Sequence, residues 1–170
     1  MHFEIRHQFD ASKEQIAEAL LDPKYLEFVL ERHGVLLEVE PKKRDENERE
    51  VRRTVRYRPK PVIEKVGPKT VPPEWFAFME ESRFDKATKT LQFDNVPTST
   101  SIQKMLVNKG TIRLNEIGPN RTERVVEGEL KLVLPFLLKP LAMVAERLIH
   151  VEAVKLLDRE AEVLTEWLSK

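Results

Sequence analysis

The run from Pro135 to Lys170 constrains the fold more than any other part of the chain. No proline or glycine follows Pro140. Leu141, Val144, Ala145, Leu148, Ile149, Val154, Leu157, Ala161, Leu164 and Leu168 recur at helical spacing, with Glu146, Arg147, Glu152, Arg159 and Glu166 on the other side. Pro140 suits the first turn of such a helix, where the N–H it lacks would go unpaired anyway. At about 1.5 Å per residue the helix is roughly 45 Å long, against a usual length of about 11–12 residues. A helix of that length must lie along a whole domain. The upstream sequence has to supply the surface it covers, either a packed core or the wall of a pocket.

Upstream, residues 2–10 alternate, with Phe3, Ile5, His7 and Phe9 on one face and charged or amide residues on the other, as a half-buried strand does. Ser12 and Gln15 form a capping-box start for a short helix. Asp22-Pro23 starts a second, and Gly34 ends it. Strands are then expected over 35–41 and 49–58, with the charged stretch Lys42 to Glu48 as a solvated turn between them. The proline-rich segment 59–73 reads as a connection rather than a sheet strand. Strands resume over Trp75–Phe84 and Thr88–Phe93. The last two can be registered: a hairpin turning at Gly118-Pro119-Asn120 pairs Ile112 with Val126, Gly110 with Gly128, Asn108 with Leu130 and Leu106 with Leu132. Two glycines facing each other in mid-strand mark a bend, or space beneath the helix.

Composition narrows the function. The 170 residues are read as one domain, 1–170, and 41% hydrophobic content is enough for a core. Lysine plus arginine and aspartate plus glutamate number 29 each, so net charge favours neither nucleic acid nor an anionic membrane. The basic residues Arg52, Arg56 and Arg58 have no aromatic interleaving, so no nucleic-acid partner is expected. There is no cysteine, which excludes disulfides and thiolate metal sites. His2, His7, His33 and His150 lack metal-ligand spacing, and no nucleotide, phosphate-loop or hydrolase motif occurs, so no metal, cofactor or assigned catalytic residue is expected. Met1-His2-Phe3-Glu4 is unlike a signal peptide and no run reaches the ~18 apolar residues of a membrane span; the expectation is a cytoplasmic protein.

Strand, two short helices, about six further strands joined by hairpins, then one long helix: this order makes an α+β protein with a curved antiparallel sheet of about six to seven strands. It resembles the helix-grip fold of the START-like superfamily, which includes polyketide cyclase-like, lipid-transport and pollen-allergen-like proteins. The local carriers are Phe9-Asp10-Ala11-Ser12-Lys13-Glu14-Gln15-Ile16, Leu20-Leu21-Asp22-Pro23 and the final helix. A narrower similarity, through Pro61-Val62-Ile63-Glu64-Lys65-Val66-Gly67 and Glu80-Glu81-Ser82-Arg83-Phe84-Asp85, is to bacterial START-like domains of unknown function and more distantly to PRELI-type phospholipid carriers. The resemblance implies a cavity between sheet and helix that holds a hydrophobic small molecule or lipid, without naming it.

On that basis the candidate ligand-binding residues are His7, Arg53, Tyr57, Phe76, Phe78, Glu80, Asn108, Gly110, Gly128 and Leu130 on the sheet, with Leu141, Val144 and Leu148, and Val151 beyond them, as the roof. A buried polar group needs a partner, so Arg53 is expected either to pair with Glu80 or to meet an acidic headgroup. His7 with Tyr57 or Glu80 would be the acid–base pair of a cyclase- or dehydratase-type enzyme using the same cavity. The third reading is a fully packed interaction module without ligand. Leu134 to Val144, apolar on every side save Lys139, would be buried, gate the cavity or touch a membrane transiently.

Overall fold

The computed structural model describes the chain apart from residues 62–64, 67 and 134–138, and apart from the side chains of residues 65, 66, 69, 102, 139–142 and 144. Strand β1 (His2–Phe9) is followed by α1 (Lys13–Leu21) and α2 (Pro23–His33). The capping box is complete: Gln15 donates its N–H to Ser12 Oγ and Ser12 donates its own to Gln15 Oε1. Asp22 caps α2 by accepting from Lys24 N–H at 2.8 Å, Pro23 opens the helix, and Gly34 leaves it at φ 73°, in the left-handed region a side chain disfavours.

The meander follows: β2 (Leu36–Glu46), β3 (Glu50–Pro59), the two-residue strands β4 (Lys65–Val66) and β5 (Lys69–Thr70), a 3₁₀ turn (Pro73–Phe76), β6 (Phe78–Asp85), β7 (Thr90–Pro97), a one-turn helix α3 (Thr100–Gln103), β8 (Leu106–Gly118) and β9 (Arg121–Leu132). Helix α4 (Lys139–Leu168) closes the chain. The seven long strands form one sheet in the order β1-β9-β8-β7-β6-β3-β2, every neighbour antiparallel. Helices α1 and α2 therefore carry the chain from one edge of the sheet to the other, and the meander brings it back beside β1.

The expected register of the last hairpin is the observed one: Leu106↔Leu132, Asn108↔Leu130, Gly110↔Gly128 and Ile112↔Val126. A Cβ on Gly110 would lie 2.0 Å from the Glu127 carbonyl oxygen, and one on Gly128 would lie 2.5 Å from the Phe3 ring and 2.7 Å from the Lys109 carbonyl oxygen. Only glycine fits such an approach. The room above the glycines is filled by Phe93 and Phe3, so the pair marks a bend rather than a void.

Three expectations change. Segment 59–73, expected to be a connection without a sheet strand, holds the short antiparallel pair β4–β5, Lys65↔Thr70 and Val66↔Lys69. The charged stretch Lys42 to Glu48 is mostly strand, and the turn is confined to residues 47–49, where Asn47 Oδ1 accepts from Arg49 and Glu50 N–H. At a sheet edge, charged side chains need no core, and Lys43–Asp45 (3.0 Å) and Arg44–Glu46 (2.8 Å) pair along the strand. Trp75 and Phe76 are not in a strand. Pro72-Pro73 sets up the 3₁₀ turn, Ala77 N–H donates to Glu74 O at 3.2 Å, and pairing starts at Phe78.

The apolar core sits at one end of the sheet. Ile16, Ala17, Leu20, Tyr25, Phe28 and Val29 from the short helices meet Val51, Phe84, Leu91 and Leu114 from the strands and Ala161, Val163 and Leu164 from α4. Trp167 adds ring contacts to Tyr25 (5.7 Å) and Phe28 (5.4 Å).

Candidate functional site

Strand registers resolve the inner face, the one turned to α4, into rows that run across the sheet. The row of Ile5, Val126, Ile112, Leu91, Phe84 and Val51 belongs largely to the core. The next holds Phe3, Gly128, Gly110, Phe93, Ser82 and Arg53. Beyond it come Leu130 and Asn108, with Asn95, Glu80 and Val55 across the gap. The outermost holds Leu132 and Leu106, with Pro97, Phe78 and Tyr57. Pairing of β7 with β8 stops at Asp94↔Lys109, so the sheet opens at these outer rows. Helix α4 crosses all of them. Glu146 accepts from Leu132 N–H at 2.7 Å, His150 lies 6.0 Å from the Phe3 ring, and Leu164 is in the core.

The rows differ in packing. Val51, Phe84, Leu91 and Val126 are fully buried and Ile5 and Ile112 half-buried in the core row, whereas Tyr57, Phe78, Glu80, Asn95, Leu106, Asn108 and Leu132 are half-buried in the outer rows, although Leu130, Val55 and Pro97 among them are covered. Tyr57 stacks on Phe78 with ring centroids 5.4 Å apart. Burial, then the Glu80 charge, pushes the Tyr57 phenol above its ordinary range, so it stays protonated.

Arg53 and Glu80 do form the expected pair, Nη2 to Oε1 at 3.6 Å. Two further nitrogens of the guanidinium are bonded: Nε donates to Ser82 Oγ at 3.2 Å and Nη1 to the Leu20 carbonyl at 2.5 Å. These bonds tie β3 and β6 to the end of α1. An apolar pocket of about 190 Å³ reaches Arg53 from the side, between Leu21, Pro23 and Leu26 of the short helices and Pro41 and Val55 of the sheet, with Arg44 at its rim.

A second polar group lies toward the core. Arg124, 1% exposed, donates through Nη1 to Glu160 Oε2 and through Nη2 to His7 Nδ1 at 3.2 Å and Leu157 O at 3.4 Å. Because arginine cannot accept, His7 carries its proton on Nε2, which donates to Asp158 Oδ1 at 2.9 Å. Tyr25 donates to Glu160 Oε1 at 2.9 Å, and burial followed by the Glu160 charge raises its pKa. This network fastens α4 to β1, β9 and α2.

The structure thus gathers Arg53, Gly110, Gly128, Glu80, Asn108, Leu130, Tyr57 and Phe78 on three adjacent rows. It leaves others elsewhere. His7 belongs to the α4 network, both ring nitrogens engaged, and makes no contact with Tyr57 or Glu80. Phe76 is in the 3₁₀ turn, off the sheet, because the prolines before it delay the strand. Leu148 and Val151 are 38% and 42% exposed and belong to no buried cluster. The side chains of Leu141 and Val144, and the proposed membrane segment Leu134 to Val144 in its first part, lie outside the described residues.

Asn95, Arg124 and Glu160 were not anticipated, though signals existed. Arg124 alternates with Val126, Leu130 and Leu132. Glu160 stands three residues after Leu157 and four before Leu164, on the apolar stripe itself. A concavity of about 1330 Å³ is lined by Arg52, Glu81, Arg83, Asp94, Lys109 and Glu127 of the opposite face together with the row of Phe3, Gly128, Gly110, Phe93, Ser82 and Arg53. Among the described residues no cluster of three metal-ligating side chains occurs and no helix is long and apolar enough to cross a membrane.

This architecture, a curved seven-stranded sheet gripping one long helix, is the helix-grip fold. Residues 4–168 match the family described as "Protein of unknown function (DUF2505)", and the chain belongs to it. No curated protein matches. Among solved structures, the chain is similar to the protein TTHA0849 from Thermus thermophilus (TM-score 0.67, 16% identity, covering 96% of this chain and 97% of that one). It is similar also to the Zhui aromatase/cyclase from Streptomyces sp. R1128 (TM-score 0.69, 12% identity, 99% and 93%). A START superfamily protein from Mycobacterium smegmatis aligns with TM-score 0.55 and 12% identity over 99% and 97% of the two chains. At these identities the likeness speaks to the fold alone.

Proposed function

We propose that the protein binds or carries a hydrophobic small molecule between the outer rows of the inner face and the N-terminal half of α4. The observation that carries this reading is the contrast in packing along one continuous face. Val51, Phe84, Leu91 and Val126 are fully buried in the row that joins the core. Tyr57, Phe78, Leu106 and Leu132 stay half-buried at the other end, where β7 and β8 part. Apolar walls with a few convergent polar groups are the usual make-up of small-molecule sites. The START-like fold class supports a ligand cavity in this position. An acidic headgroup at Arg53 gains no support, because Glu80 already offsets its charge and its Nε and Nη1 are held by Ser82 and Leu20.

Native mass spectrometry of the purified full-length chain, followed by solvent extraction, tests the proposal. A one-to-one adduct on the 19.9 kDa chain that dissociates to a hydrophobic compound is the expected result. A bare chain that also takes up no added hydrophobe would favour the packed interaction module.

A further inference from the structure

The Glu80 carboxylate is under-satisfied on the inner face. Its charged neighbour Arg53 stands 3.6 Å away through Nη2, beyond hydrogen-bonding reach, while Nε and Nη1 donate to Ser82 and Leu20. Glu80 Oε1 is buried without a hydrogen bond among the described residues. So is Asn95 Oδ1, at the position directly opposite on β7. An acceptor removed from water and given no donor is costly, and a charged one more so. Turning the Asn95 amide over would offer Glu80 an N–H. A carboxylate presents about four lone-pair positions, so acceptor sites stay open either way.

Two facing acceptors on this wall thus have no donor within hydrogen-bonding reach, and the charge balance says which kind of donor suits them. Arg53 already offsets Glu80. An ammonium group would add an uncompensated charge to a half-buried site, and a carboxylate or phosphate would bring more acceptors to a place that has too many. A hydroxyl brings a donor and no charge. The stacked Tyr57 and Phe78 rings beside it supply apolar surface for the rest of the molecule.

Building on the ligand site proposed above, we infer that its ligand is a neutral, hydroxyl-bearing hydrophobe, an alcohol or phenol, whose O–H donates to Glu80. Three probes of one shape test this by calorimetric titration of the full chain: 2-naphthol, 2-methylnaphthalene and 2-naphthoate. On the unaltered protein 2-naphthol binds at least about tenfold more tightly than either of the others, as a hydrogen bond to a charged acceptor should provide. In Glu80→Gln, whose amide supplies a donor of its own, the preference for 2-naphthol over 2-methylnaphthalene falls at least about threefold. Equal binding of those two probes would overturn the inference while leaving a hydrophobic site in place. Tightest binding by 2-naphthoate would overturn it in favour of an acidic ligand. Binding of none, with no co-purifying adduct, would defeat the underlying site as well. The comparison on the unaltered protein decides the matter even where the variant fails to fold.

Discussion

Arg124 shows what a single buried charge asks of its surroundings. At 1% exposure it depends on Glu160, His7 and the Leu157 carbonyl, and its Nε has no partner among the described residues. Removing Glu160 would strand it, so Glu160→Ala should cost about 3 kcal/mol or more in urea unfolding. The double variant Arg124→Met with Glu160→Leu should lose less than the two single changes summed, which a double-mutant cycle would read. His33 poses a titration problem instead. Its Nε2 donates to the Leu156 carbonyl at 3.1 Å while Nδ1 is buried and unpartnered, and burial holds its pKa below the ordinary 6.5. The folded state thus favours the neutral ring. Its contribution to stability is complete above the unfolded value of about 6.5 and is lost as pH falls through the lowered folded value. His33→Gln should flatten stability against pH between about 7 and 5, while an unchanged slope would show that other groups set it. Both sites were only partly legible in the sequence. Alternation places Arg124 inward, but nothing local says that a helix residue thirty-six positions on receives it.

Among the elements, α4 has two halves with different tasks. Leu164, fully buried in the core, should cost about 3 kcal/mol when cut to alanine, and Leu148, 38% exposed, should cost less than about 1 kcal/mol. Equal losses at the two positions would mean that the helix is packed uniformly. The helix was legible because periodicity, the absence of breakers and a leading proline agree with one another. The caps of α1 and α2 and the register of β8 with β9 were legible for the same reason, being set by residues close in sequence. The length of β2 was not, since its charged residues are held in a strand by the paired edge of β3 rather than by any core-facing pattern. Phe76 misled in the opposite sense: it continues the alternation of β6 on paper, while Pro72-Pro73 turn the chain before the sheet begins.

The molecule as a whole is a sheet that is closed around a helix at one end and splayed at the other. The core, the α4 network and the Arg53 tie to α1 hold the closed end. The parting of β7 from β8, the two bend glycines and the under-satisfied Glu80 and Asn95 define the splayed end. A sequence reports faces and registers, but whether an apolar face is filled depends on how far its covering helix stands off, and that is a property of the assembled fold. Methyl NMR of the leucine- and valine-labelled chain titrated with 2-methylnaphthalene, a probe with no polar end, asks this directly. The account predicts shifts at Leu106, Leu132 and Val55, with Val51, Leu91 and Leu164 unmoved. Shifts confined to the exposed Leu37, or none at all, would contradict it.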